Sequence, residues 1–319
     1  MDTRSSEIES VEQSSSDRER SEQPRELPEE LAKNVIVLTC ESSAEGGSCV
    51  VHVIGTSHFS KESCRRVQEV ISYLKPEVVF FEVCSKREFM LENQQNLKVP
   101  TVKEMLYRMM KKNNPLGVVY SASLIKIANH LGVVPGAEFQ VAFNEAKKYG
   151  GKIVLGDRPV EITMRRLWEP MPLWQKMTLL GTLYISTLFL PSADKLNAMI
   201  IEKDISDVIP KKTKCFPTQM ERTLVHERDQ YMSSRLLTYA SESSSVVAVV
   251  GKAHLRGIKK YWQQSMMLLE KLMEIPSHKA RITIKRIISI LAAGIAVGAH
   301  SQEALTLEEN SICKALKVF

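Results

Sequence analysis

The sequence predicts a three-layer α/β/α fold on a central mixed, largely parallel sheet, with a helical insertion. Three observations predict it. An apolar run ending in Gly55 gives way to a helical pattern and then to a second apolar run. All of this falls within about thirty-five residues, the length of one βαβ unit. The runs at Val78–Cys84, Glu82 apart, and Val246–Gly251 are apolar without alternation, as suits strands buried on both faces. Polar residues collect just past the end of each run, where open α/β sheets build their sites.

The elements follow in order. Residues 1–32 are rich in Ser, Glu, Gln and Arg with almost nothing to bury, so they are expected to be disordered. "NVIVLTC" and "CVVHVIG" flank "ESSAEGGS" and read as a hairpin with a longer loop. In "KESCRRVQEVISYLKP", Cys64, Val67, Ile71 and Leu74 recur at helical spacing, and Pro76 closes the pattern. Residues 101–150 and 160–235 read mostly as helices around a short strand, "KIVLGD". The apolar stretch Leu173–Leu190 admits a core helix, a dimer face or a membrane-contacting surface. "VVAVVG" is a last strand, and a helix follows to Pro276. The folded domain is placed at 33–275, with a tail at 276–319.

Composition narrows the classes. The 319 residues are 44% hydrophobic, enough for one sizeable domain with tails. The net charge of +6 is spread out rather than gathered in a block, so a nucleic-acid partner is not expected. The six cysteines form no C-x-x-C pair, and the first residues lack the apolar core of a secretory signal, so the thiols are read as reduced. In the tail, Lys285 and Arg286 precede an apolar run, Ile287–Ala299, that falls short of the roughly 20 residues of a spanning helix. It reads as an incomplete anchor, an interfacial helix or a buried one.

The chemistry-bearing residues sit at strand ends. Gly55-x-x-His58 and Gly251-x-x-His254 repeat one pattern on two runs, Glu82 ends a third and Asp157-Arg158 a fourth, with Arg87 nearby. Glycine here is expected to permit a tight turn that projects the histidine above the sheet. Two imidazoles and a carboxylate, His58, Glu82 and His254, are a common divalent-metal set. Without a metal the same groups are a general acid and base. Arg87 or Arg158 can hold a substrate anion or a developing oxyanion. Each also has a structural alternative: Glu82 capping a helix or pairing with an arginine, and Asp157-Arg158 as an ion pair at a turn. His52 and His130 read as packing residues. In "ERTLVHERDQYMSSRLL", Leu224, Met232 and Leu236 supply a buried face. Glu227, Arg228 and Asp229 are consecutive, so at most two can join one site, and a solvated helix face is the ordinary expectation.

Taken together, "VIGTSHFSKESCRRVQEVI", "KPEVVFFEVCSKR", "PGAEFQVAFNEAKKYGGKIVLGDRPVEITMRR", "HERDQYMSSRL" and "VVAVVGKAHLRGI" resemble the TraB family over most of residues 50–260. The resemblance extends to the Tiki metalloproteases and, more remotely, to the erythromycin esterases. It implies a metal-dependent hydrolase with His58, Glu82 and His254 on the metal, and Arg87 and the Glu227–Asp229 cluster lining the same cleft. It also implies attachment to a mitochondrial or other organelle membrane, facing the cytosol, although here the apolar run stops early and continues as "HSQEALTLEENSICKALKVF".

Two functions are therefore expected. One is a metal-dependent hydrolase acting on a peptide or other carbonyl substrate. The other is a non-catalytic adaptor at an organelle membrane, binding protein partners through its N-terminal segment.

Overall fold

The computed structural model describes residues 27–57, 61–91, 101, 103–105, 107, 115–132, 136–188, 218–263 and 269–275. Strand β1 (Val35–Glu41) and strand β2 (Ser48–Thr56) pair antiparallel, with Val37 opposite His52 and Cys40 opposite Cys49. The connecting turn uses Gly46 and Gly47, both in the left-handed region that a side chain would strain. Helix α1 (Lys61–Leu74) follows and buries Val67, Val70 and Ile71. Lys75, at positive φ, ends it before Pro76. Then come β3 (Val78–Phe81), α2 (Pro115–Leu131), α3 (Ala137–Tyr149), β4 (Lys152–Leu155), α4 (Val160–Trp168) and α5 (Leu173–Leu188). A short turn and a π-helical segment (Arg222–His226) run straight into α6 (Glu227–Ala240). Strand β5 (Ser245–Gly251), α7 (Lys252–Tyr261) and α8 (Leu269–Met273) complete the described chain.

The sheet order is β1-β2-β5-β3-β4. Strands β2, β5, β3 and β4 are mutually parallel. The last strand in sequence thus lies between β2 and β3. Its composition allows this, because every residue from Val246 to Gly251 is buried. The register sets Thr56 opposite Gly251, and Phe81 opposite both Val249 and Leu155. Four carboxyl ends therefore lie side by side.

Alternation along β3 divides the core. Val79 and Phe81 pack with Val67, Ile71, Phe139 and Ala142 under α1 and α3. Val78 and Phe80 pack with Met232, Leu236 and Ile258 under α6 and α7. Each such side chain, fully buried, contributes about 1.5–3 kcal/mol. The result is the expected three layers.

The helical insertion has its own core, in which Leu116 and Val119 of α2 meet Met164 and Leu167 of α4, Leu179 and Leu180 of α5, and Leu224. This supports the core reading of the apolar stretch, while Trp174 near its start is 65% exposed. Among the described residues, no helix is long and apolar enough to cross a membrane. The run 287–299 and residues 1–26 lie outside the described residues, whereas Glu29–Ala32, expected to be disordered, form a short helix whose Leu31 packs with Leu27 against the core.

Candidate functional site

Glu82 leaves β3 and laces the sheet together. Its amide donates to Val249 O (3.1 Å), and its Oε2 accepts the amide of Gly251 at 2.6 Å. Its Oε1 accepts from Arg228 Nη2 and lies 3.1 Å from His254 Nε2. The pairing with an arginine, one of the alternatives for Glu82, is thus present, and it sits inside a larger cluster.

His254 stands in the first turn of α7, directly past β5. Its Nδ1 is 2.5 Å from Asp229 Oδ1. Burial alone would lower its pKa. The charge of Glu82 and the hydrogen bonds to Asp229 and Glu82 outweigh that and raise it to about 9. Nδ1–H then donates to Asp229 and Nε2–H to Glu82. Asp229 needs a neighbour without a side chain, because a Cβ on Gly257 would fall 1.9 Å from its Oδ2.

Asp157, just past β4, ties the cluster to the surface. Its Oδ1 accepts from Arg158 N (2.8 Å) and Arg228 Nε (2.9 Å). Its Oδ2 accepts from Arg228 Nη2 (3.1 Å) and Arg87 Nη2 (2.6 Å). Burial would push this carboxyl up, but the charges of Arg228 and Arg87 hold it below the usual carboxylate range. The Arg87 side chain is 30% exposed against 2% for Asp157, so Arg87 forms the outer side of the cluster.

Three sequence expectations change. Arg158 is not in this cluster. It is fully buried, and its guanidinium donates to Thr163 Oγ1, Glu227 Oε2 and the carbonyls of Thr223 and Leu272. With those bonds made, it has no route to a substrate. The charged triplet is not a solvated face either, since Glu227, Arg228 and Asp229 are all buried. Glu227 joins Arg158 and Arg166, while Arg228 and Asp229 join Glu82 and His254. Finally, neither motif glycine has a positive φ. Gly55 instead makes room for α7, because a Cβ there would meet Leu255 at 2.5 Å.

Arg228 and Asp229 are given no individual role by the sequence reading, which takes their triplet as a solvated face by pattern and as part of the cleft by resemblance. A signal was present. Leu224, Arg228, Met232 and Leu236 are spaced by four, so Arg228 falls in the middle of the stripe that supplies the buried face.

Glu82 and His254, two members of the expected metal set, do not fit a divalent ion as they stand. Both oxygens of Glu82 and both ring nitrogens of His254 are engaged by protein groups, and a guanidinium already supplies the positive charge. Among the described residues, no group of three or more His, Cys, Asp or Glu is placed to hold a metal. The third expected ligand, His58, lies outside the described residues, two positions past the end of β2.

Comparison with known proteins accords with this fold. Residues 42–266 match the TraB/PrgY/gumN family. A TraB domain-containing protein of Bos taurus is 32% identical over 278 residues, covering 79% of this chain and 72% of the relative. One of Mus musculus is 33% identical over 258 residues, covering 73% and 67%. An uncharacterized protein of Methanocaldococcus jannaschii is 35% identical over 220 residues, covering 67% of this chain and 53% of the relative. With most of its sheet and all of the described cluster inside the matched region, the chain belongs to the TraB/PrgY/gumN family.

Proposed function

We propose that this chain is a hydrolase acting on a carbonyl substrate, with a peptide bond as the class that the Tiki resemblance favours. The observation that carries the reading is the array Asp229–His254–Glu82 at the carboxyl edge of the sheet, with contacts of 2.5 Å and 3.1 Å. A carboxylate on Nδ1 fixes the tautomer and orientation of an imidazole. Here the other nitrogen faces a second carboxylate, so Glu82 and His254 form one proton-transfer pair. Glu82, the ionised member, takes a proton from the attacking water, and His254, already protonated on both nitrogens, gives its Nε2 proton to the leaving group; transfer from Glu82 to Nε2 then restores the pair. Such transfer contributes about 10²–10⁴-fold. Arg87, at the outer side, orients the substrate or its developing oxyanion. This proton transfer needs only side chains, in keeping with the poor fit of Glu82 and His254 to a metal.

The test is turnover of peptide and ester libraries by the full chain, beside Glu82→Gln and His254→Ala. The expected result is a loss of about 100-fold or more in both variants, with the circular dichroism spectrum unchanged. Turnover that survives both substitutions ends the reading. An inert chain whose partners depend on residues 1–32 and not on His254 is the adaptor instead. Attachment to an organelle membrane through residues 276–319 belongs to the same proposal. Co-sedimentation with vesicles of mitochondrial lipid composition tests it, with no binding as the opposing result.

A further inference from the structure

Three carboxylates, Glu82, Asp157 and Asp229, are buried at one sheet edge. Buried charges persist only when paired and hydrogen-bonded. One side chain does most of that pairing. The Arg228 fork places Nε and Nη2 on the two oxygens of Asp157, at 2.9 Å and 3.1 Å, and Nη2 also on Glu82 Oε1. Its Nη1 donates to Leu224 O (3.1 Å) and lies 3.3 Å from His254 Nε2. All three guanidinium nitrogens are committed within the cluster. The carbonyl of Leu224 anchors the fork back along the π-helical turn, so its position is set by backbone as well as by charge.

The placement has a particular character. Glu82 Oε1 and His254 Nε2 are the atoms through which this pair would hold a divalent ion. Those are the two atoms that Nη2 and Nη1 of Arg228 flank. We propose that Arg228 is the resident cation of this site, a positioning residue that holds the place of a divalent metal and excludes one from the native chain. A planar, permanently charged fork suits the task, since it satisfies two carboxylates in fixed directions as an ammonium does not. The proposal deepens the hydrolase reading and rests on it for the use of the site. Its test reads metal affinity rather than turnover, so each can fail alone.

The experiment is titration of the metal-stripped full chain with Zn²⁺ and with Mn²⁺ by calorimetry, beside Arg228→Met, with bound metal counted by mass spectrometry. The native chain is expected to retain far less than one ion per chain. Arg228→Met, which takes the guanidinium from Glu82 and leaves Asp157 with Arg87, is expected to gain about 10–100-fold in affinity, and Glu82→Gln in that background to lose the gain. If Arg228→Met does not fold, Arg228→Gln replaces it under the same expectations. A tightly held stoichiometric metal in the native chain that Glu82→Gln removes would overturn the proposal. So would a folded Arg228 variant with no gain.

Discussion

Asp229 and His254 stand 25 residues apart in sequence, yet Oδ1 of one lies 2.5 Å from Nδ1 of the other. The contact joins the first turn of α6 to the first turn of α7, and it orients the imidazole that meets Glu82. Asp229→Asn keeps the shape but exchanges a carboxylate acceptor for an amide, which no longer fixes the protonated Nδ1. The expected outcome is a fall of about 10²-fold in kcat together with a lower melting temperature, because the substitution removes one charge of a buried pair. A kinetic and calorimetric comparison checks both halves.

Gly257→Ala reaches the same contact from outside. The new methyl group would fall on the Asp229 carboxylate, which cannot retreat without leaving His254. Overpacking of this kind costs about 1–3 kcal/mol. Urea unfolding is expected to show that loss, and kcat should fall along with it. A variant of native stability and native turnover would refute the packing argument.

Arg158→Met tests a residue that sequence pattern nominates for substrate binding and packing assigns to the frame. The substitution leaves Glu227 with Arg166 as its close partner and removes the guanidinium's bonds to the carbonyls of Thr223 and Leu272. Breaking a buried pair costs about 3–5 kcal/mol. The midpoint of urea unfolding should drop by a corresponding amount, with KM unchanged in whatever fraction stays folded.

Acid should reach the frame through Glu227. Burial alone would raise this carboxyl, but the hydrogen bonds from Arg166 and Arg158 hold it below its ordinary value. A folded-state pKa below the unfolded one gives stability that is present above the unfolded value, about 4.3, and lost as pH falls through the folded one. Asp157, shifted the same way by Arg228 and Arg87, adds to the trend. Unfolding midpoints measured from pH 7 down to pH 3 should fall on the acid side, and less steeply in Glu227→Gln. Parallel acid limbs for the two proteins would count against the pairing.

Much of the sheet is readable in the chain because burial on two faces leaves a plain mark. Val78–Phe81 and Val246–Val250 are apolar without interruption, and nothing but a central strand uses such a run of β-branched and aromatic residues. Glu82 and His254 are readable for the related reason that the sheet ends where its polar residues begin. Arg228 and Asp229 are harder to read. Three successive charges on a helix ordinarily mean water, and only the tertiary packing of carboxylates from β3 and β4 makes a buried guanidinium favourable there. Asp157 and Arg158 show the same limit in miniature. They are neighbours in sequence, but their side chains serve separate networks, and no local pattern distinguishes the two.

The π-helical turn before α6 acts as a gear. Its last hydrogen bond spans five residues, from Glu227 N–H to Arg222 O, one more than in a regular helix. Each residue of a helix turns the chain by about 100°. Deleting any one residue from Arg222–His226 would therefore re-phase the incoming segment by roughly a quarter of a turn against α6. The carbonyls of Thr223 and Leu224, which accept from Arg158 and Arg228, could then no longer both keep their places against α6. What is encoded in this turn is a count as well as a set of residue types, and a one-residue shortening there should do more harm than most substitutions within it.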